Sequence, residues 1–393
     1  MTRFDTVRMV LPFCWLISSA AQAEIAPADS LDDAWIRVCT NAEPGTTFAD
    51  RCAEILDAGP GSGDRRSSAA IGNNLELNSA QHRIAAAQQS VTKTVIEERE
   101  EESKLWQSER LGIGAAIKTG ELERDDDDFE SGFKSDLKGF HLMADYRLNR
   151  DLVVGVLIQT QTADTEYDGN AGELDTDFTN LTVFTNLQLT PEMWLDAYLG
   201  RGQLEFDIVR NISYSMQTGV EINGVATADT EGDQLSLGAS IGHLWLQAGN
   251  EYALKFGLDY LDFETDAYQE QDNVGLALAY DSETYNSLTA TLGAVGSWPI
   301  SMVSGVLVPQ LSLDLQYESK DEATDTTTAF VGDTQGEKII VTTADPDRTS
   351  VNLGAGVQWV LPSAVSLYAE YQQRFAHDFL DEWSITVGIR AGM

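Results

Sequence analysis

The sequence predicts an all-β membrane barrel of twelve antiparallel strands. Three observations carry that reading. From residue 111 onward apolar and polar residues alternate with a period of two almost to the last residue. The connections between these alternating runs are short and long in turn. No apolar stretch of about 18 residues follows the first two dozen positions, so only a closed barrel of strands would carry the chain across a bilayer.

Twelve strands are expected at 111–123, 137–148, 151–167, 174–189, 193–210, 231–248, 252–265, 278–297, 305–319, 348–361, 363–377 and 382–393. Their two faces differ in kind. In the last run Trp383, Ile385, Val387, Ile389, Ala391 and Met393 point one way, and Ser384, Thr386, Gly388, Arg390 and Gly392 the other. In 348–361 the residues Val351, Leu353, Ala355, Val357, Trp359 and Leu361 share a face opposite Asn352, Gly354, Gly356 and Gln358. A strand of period two has one face of each type. Asp314, Gln316, Gln358, Glu370 and Arg390 are ill suited to a dry core, so the polar face lines a wet lumen and the apolar face meets lipid. The fifth run loses phase near Gly200–Gln203, which predicts a bulge there.

The short connections are 149–150, 190–192, 249–250, the turn at Pro299 and 361–363. The longer ones are 124–136, 168–173, 211–230, 266–277 and 320–347, with 378–381 the brief exception. Tight turns on one side and long loops on the other are the asymmetry of outer-membrane barrels. Tyr146, Trp194, Trp245, Tyr252, Trp298 and Trp359 cluster near the short turns, as an interfacial aromatic girdle would. An even strand number returns the last strand to the first, which removes the sheet edges.

The segment before the barrel divides in three. Residues 1–23 combine Arg3 and Arg8 with an apolar run and small residues ending in Ala-Gln-Ala, the pattern of a secretory signal peptide cleaved after Ala23. Residues 24–77 read as a small helical module with a Ser30 cap and a Gly59 stop. Cys39 and Cys52 remain once the leader carrying Cys14 is removed. An even pair in an exported chain predicts a Cys39–Cys52 disulfide, which stabilises by about 3 kcal/mol in the chain-entropy view. Residues 78–110 form a linker, and 78–108 lack Gly and Pro and predict one helix roughly 46 Å long with only a thin apolar stripe.

The chain of 393 residues has 25 Lys and Arg against 63 Asp and Glu, a formal charge of −38. Phosphate backbones would be repelled, so no nucleic-acid partner is expected. The only His–Asp neighbours at an outer rim are His377 and Asp378. His141 is expected to face the lumen and His243 to face lipid. Asp125 to Asp128 offer the hard oxygen ligands of a divalent cation but lack EF-hand spacing, and a solvated loop is the simpler reading. The chain is therefore expected to be no enzyme, with no cofactor and no metal site.

The segments "GFHLMADYRLNRDLVVGVLIQTQ" (139–161), "GVLVPQLSLDLQYE" (305–318) and the final 347–393 resemble the translocator β-domain of autotransporters. The resemblance spans about residues 105–393. It implies a barrel in the outer membrane of a Gram-negative bacterium, with 78–110 as a pore helix leading to a passenger. It implies contact with lipid and lipopolysaccharide, periplasmic chaperones, the barrel-assembly machinery and a monomeric state. It also implies an assembly signal at Thr386, Gly388, Ala391 and Met393, although Ala391 and Met393 stand where relatives carry bulky groups. Asn73-Asn74 matches a self-cleavage pair of some relatives but lies too far upstream of the barrel. The expected function is translocation or display of the chain's own N-terminal segment. The alternative is a structural or adhesive surface protein acting through its acidic loops, and the side occupied by 24–77 is left open.

Overall fold

A computed structural model describes residues 37–40, 42–56, 81, 83, 110–126, 131–215, 221–319, 325–342, 348–377 and 380–393. The leader at 1–23, Asn73-Asn74 and nearly all of the expected pore helix lie outside the described residues.

In chain order the strands are β1 (Leu111–Arg124), β2 (Phe133–Arg147), β3 (Leu152–Tyr167), β4 (Gly172–Thr190), β5 (Met193–Ser215), β6 (Glu221–Gln247), β7 (Asn250–Thr265), β8 (Tyr268–Gln269) and β9 (Gln271–Asp272). They continue as β10 (Leu278–Tyr280), β11 (Glu283–Ser297), β12 (Ile300–Met302), β13 (Gly305–Glu318), β14 (Asp325–Phe330), β15 (Ile339–Thr342), β16 (Thr349–Val360), β17 (Val365–Phe375) and β18 (Leu380–Gly392). One helix, α1, spans Thr47–Leu56.

Twelve of the strands, β1 to β7, β11, β13 and β16 to β18, make a closed antiparallel barrel. Closure is made by β18 on β1, in register from Gly112↔Gly392 to Arg124↔Leu380. Met393 completes it: its carbonyl accepts from the Leu111 amide at 3.1 Å and its amide donates to the Leu111 carbonyl at 2.8 Å. Each of these twelve strands thereby has two neighbours, and the barrel wall has no free edge.

The outer surface is inverted relative to a soluble protein. Ile117, Ile158, Leu181, Leu199, Phe256, Leu292 and Leu313 are exposed around the wall. His141, Gln159, Asn180, Gln234, Thr291 and Gln358 are buried inside it. An apolar band of this extent would drive aggregation in water and is satisfied by lipid. Among the described residues no helix is long and apolar enough to cross a membrane.

Three expectations are corrected. The wall of β5 holds one phase through Gly200–Gln203, with Gly200↔Thr182 and Gln203↔Thr179 in unbroken register on β4, and the register shift falls instead between Gln188 and Thr190. What changes near Gly200 is the solvent, not the backbone. Leu195 and Leu199 face lipid, but beyond the membrane Leu204, Phe206 and Ile208 face inward and Gln203, Glu205 and Asp207 face outward. The run expected at 278–297 divides, because β10 leaves the wall and pairs with β8 and β14 in a separate sheet. Trp194 departs from the girdle: it is buried inside the barrel against Gly242, whose bare Cα gives the indole its space.

The expected loop 211–230 is also shorter, since β5 and β6 continue outward to Ser215 and Glu221. Its alternation is inverted, with Ile212, Ala226 and Ala228 inward and Ser213, Thr227 and Asp229 outward. A search for lipid-facing apolar residues passes over such a segment.

Candidate translocation lumen and its cap

The cross-strand registers place inward residues in rings. One ring carries His141, Gln159, Asn180, Gly202 and Gln234 on β2 to β6. Toward the short turns the lining is charged and paired. Arg390 donates to Asp145 at 2.8 Å, Lys255 lies 3.3 Å from Asp314, and Tyr198 donates to Asp259 at 2.8 Å. Arg374 pairs with Glu382 at 3.0 Å nearer the outer end. Arg390, Lys255 and Arg374 each face a carboxylate, as cations removed from bulk water require.

Above the polar ring the lining becomes apolar. Leu122, Leu137, Ala163, Leu174, Phe178, Leu204, Phe206, Ile208 and Phe263 are buried in one cluster across the outer part of the barrel. Phe206 and Phe263 meet edge to face at 6.2 Å. The long loops fold over this layer as a four-stranded sheet in the order β15, β14, β10, β8.

That sheet is pinned to the wall by a buried ion pair. Arg210 of β5 donates through Nε to Glu270 Oε1 at 2.8 Å and through Nη2 to the Leu276 carbonyl at 2.9 Å. Glu270 also accepts from the Leu278 amide at 2.8 Å. Burial works against the Arg210 charge, but the hydrogen bond and charge of Glu270 outweigh it and raise the guanidinium pKa. Tyr268 and Tyr280 stack at 4.6 Å beneath the sheet, and burial pushes both hydroxyls above their ordinary range.

A helical hairpin sits on the loops. A helical turn at 37–40 and α1 are joined through Cys39 and Cys52, with Cα atoms 5.2 Å apart. Thr46 caps α1 by accepting the Ala49 amide at 3.1 Å. Val38, Cys39, Phe48 and Cys52 belong to the same buried cluster as the barrel's inner apolar layer. Phe48 packs on Phe330 at 5.2 Å between ring centres. Gly332 makes room for the Phe48 side chain, and Gly275, in the left-handed region at φ +83°, makes room for Thr47. Arg37 reaches Glu337 at 3.1 Å. Further along the chain, Gln81 is buried and accepts from Thr265 Oγ1 at 3.4 Å, at the outer end of β7.

The expected site residues fall as follows. Thr386 faces inward and is buried, and Gly388 faces inward against the Tyr368 ring, which a Cβ there would meet. Ala391 pairs with Ile113 and with Val365. His141 is buried in the lumen, while His243 faces outward 3.8 Å from Glu192. His377 Nδ1 accepts the Leu380 amide at 3.2 Å, and Asp378 lies outside the described residues. Asp126 accepts from the Gly132 amide and so shapes its own loop, whereas Asp127 and Asp128 lie outside the described residues. Among the described residues no three His, Cys, Asp or Glu side chains converge as metal ligands would.

Two features carried no recognisable sequence signal. One is the apolar layer, whose inward residues alternate in antiphase to the lipid band below. The other is a row of five aspartates on the outward face. Asp136, Asp164, Asp175, Asp207 and Asp229 stand directly opposite one another on β2 to β6.

The closed barrel, its polar lumen and the chain segment at its mouth define an outer-membrane translocator. Residues 115–372 match the autotransporter beta-domain family, and the chain belongs to it. The fold is similar to the translocator domain of the autotransporter NalP from Neisseria meningitidis, with TM-score 0.59 and 14% identity, covering 78% of this chain and 98% of that one. It is also similar to the beta domain of the Bordetella autotransporter BrkA, with TM-score 0.52 and 18% identity, covering 72% of this chain and all of that one. No curated protein matches the chain by sequence. Membership places the protein in the Gram-negative outer membrane and gives it the family's role, translocation of a passenger.

Proposed function

We propose that the passenger is the chain's own short N-terminal segment, displayed at the cell surface as the Cys39–Cys52 hairpin. One observation carries this reading: the hairpin packs on the long-loop end of the barrel, while β1 begins at the short-turn end. Gln81 lies inside the mouth and Arg110 donates to Met393 at the opposite end at 3.0 Å. The connecting residues are rich in Glu, Lys and Gln, a composition that the hydrocarbon of a membrane would reject. In this reading the barrel is a conduit and a mount, without catalysis. It is monomeric, reaches the membrane through periplasmic chaperones and the assembly machinery, and contacts lipid and lipopolysaccharide.

The test is protease treatment of intact cells carrying an epitope tag near Gly61. Loss of the tag without lysis is the expected result. A tag that survives until the outer membrane is permeabilised places the segment in the periplasm and removes the display reading.

A second reading, adhesion through the acidic outer surface, draws on the aspartate row. Replacing Asp175, Asp207 and Asp229 by Asn then abolishes attachment of cells while the barrel still resists unfolding in cold detergent. Unchanged attachment sets that reading aside.

A further inference from the structure

We propose that the hairpin is a retained stopper: Phe48 docks in a socket built for it by two separate loops, and that docking seals the outer mouth of the barrel. This rests on the reading that residues 37–56 reach the outer side. It goes further in naming what they bind there and what binding does.

The socket is specific in three ways. First, its parts come from segments far apart in the chain. Gly275 lies between β9 and β10, and Phe330, Gly332 and Glu337 lie on or after β14, so both long loops must be folded for the socket to exist. Second, both glycines stand where a side chain would strike the hairpin. A Cβ on Gly275 would lie 2.9 Å from Thr47 Cγ2, and one on Gly332 would lie 2.7 Å from Phe48 Cγ. Space cleared at two points for one helix start is a fit to that helix and not a general opening. Third, the contact is continuous with the interior. Phe48 is 2% exposed and Val38 fully buried, in the same apolar layer as Phe178, Phe206 and Phe263.

Removal of Phe48 would open a hole in the apolar cluster that joins the loop sheet to the inner layer of the barrel. Water and small ions would then have a path from the lumen to the outside. The hairpin cannot leave cheaply, because Phe48, Val38 and the disulfide would expose their buried surface to water. The exported segment is therefore kept rather than shed, and it closes the pore it passed through.

The experiment uses the full-length protein in planar lipid bilayers and in detergent. Wild-type protein is expected to hold near-baseline conductance and a hairpin resistant to protease. Gly332→Leu fills the socket and Phe48→Ala empties it. Both are expected to raise ion conductance and to speed cleavage within 37–56 by about 100-fold, the scale of a lost buried aromatic contact. Each is expected to keep the barrel's resistance to unfolding in unheated detergent. Hydrogen–deuterium exchange of the α1 amides needs no variant: strong protection in the wild type is expected. Free exchange of those amides, ready proteolysis of the wild-type hairpin, or equal conductance in wild type and variants would each overturn the stopper. The surface tag separates the two proposals. A tag exposed on intact cells with a labile hairpin leaves display standing and removes the stopper. A tag never exposed on intact cells removes display, and the stopper with it.

Discussion

Arg210 and Glu270 form a fully buried ion pair, with Nε and Oε1 2.8 Å apart, that ties the loop following β7 to the wall of β5. Their value lies less in net stability than in the cost of separating them. A buried pair roughly offsets its own desolvation, whereas a lone buried charge does not.

Arg210→Ala is therefore expected to destabilise the loop sheet by about 3–5 kcal/mol, through the stranded Glu270 carboxylate. The double change Arg210→Met with Glu270→Leu is expected to cost far less. Limited proteolysis between β7 and β11 measures the difference, and equal sensitivity of the two proteins would contradict the account.

The Cys39–Cys52 bridge closes a loop of sequence separation 13. Cys39→Ser is expected to loosen the hairpin by about 3 kcal/mol in the chain-entropy view. The crosslink lies wholly within that loop and touches no barrel strand, so the barrel's own unfolding transition is expected to stay in place. Thermal scans with and without reductant check both statements.

The aspartate row makes the outer rim sensitive to pH. A hydrogen bond to Asp229 holds the Asp207 carboxyl above its usual range, with burial and the charges of Asp229, Asp175 and Asp177 adding to it. Burial raises Asp175 likewise, helped by Asp164, Glu173 and Asp177. A carboxyl with a raised folded-state pKa binds its proton more tightly in the folded state. Its contribution is full below the unfolded-state pKa and is lost as pH rises through the folded-state value. Mild acidification from neutral is expected to raise the melting temperature, by an amount reduced by solvent screening. Asp207→Asn with Asp229→Asn is expected to flatten that dependence, and a wild-type profile that falls on acidification would refute the assignment.

Met393 is bonded to Leu111 through the backbone, and its side chain is exposed toward the membrane side. If the last residues act as an assembly signal, an aromatic group there is recognised better. Met393→Phe is then expected to increase the fraction of protein that migrates as a folded barrel in unheated gels. The backbone bonds would be untouched, so the folded barrel's stability is expected to change little.

The sequence alone determined the barrel wall. A strand crossing lipid records its two surroundings as a period of two, so Ile385, Val387 and Ile389 could be assigned outward, and Ser384, Thr386 and Arg390 inward, from residue type alone. It also determined the short connections and the cysteine pair, because these are local or compositional facts. It misread the wall beyond the membrane. There water bathes the outside and an apolar layer fills the inside, so Leu204, Phe206 and Ile208 look like a slipped strand when the backbone has not slipped. Only the tertiary structure decided what closes the mouth. Phe48 meeting Phe330, Thr47 meeting Gly275 and Arg210 meeting Glu270 join segments far apart in the chain. Such pairs leave no local periodicity, and they become neighbours only after the wall has closed and brought its loops to one end.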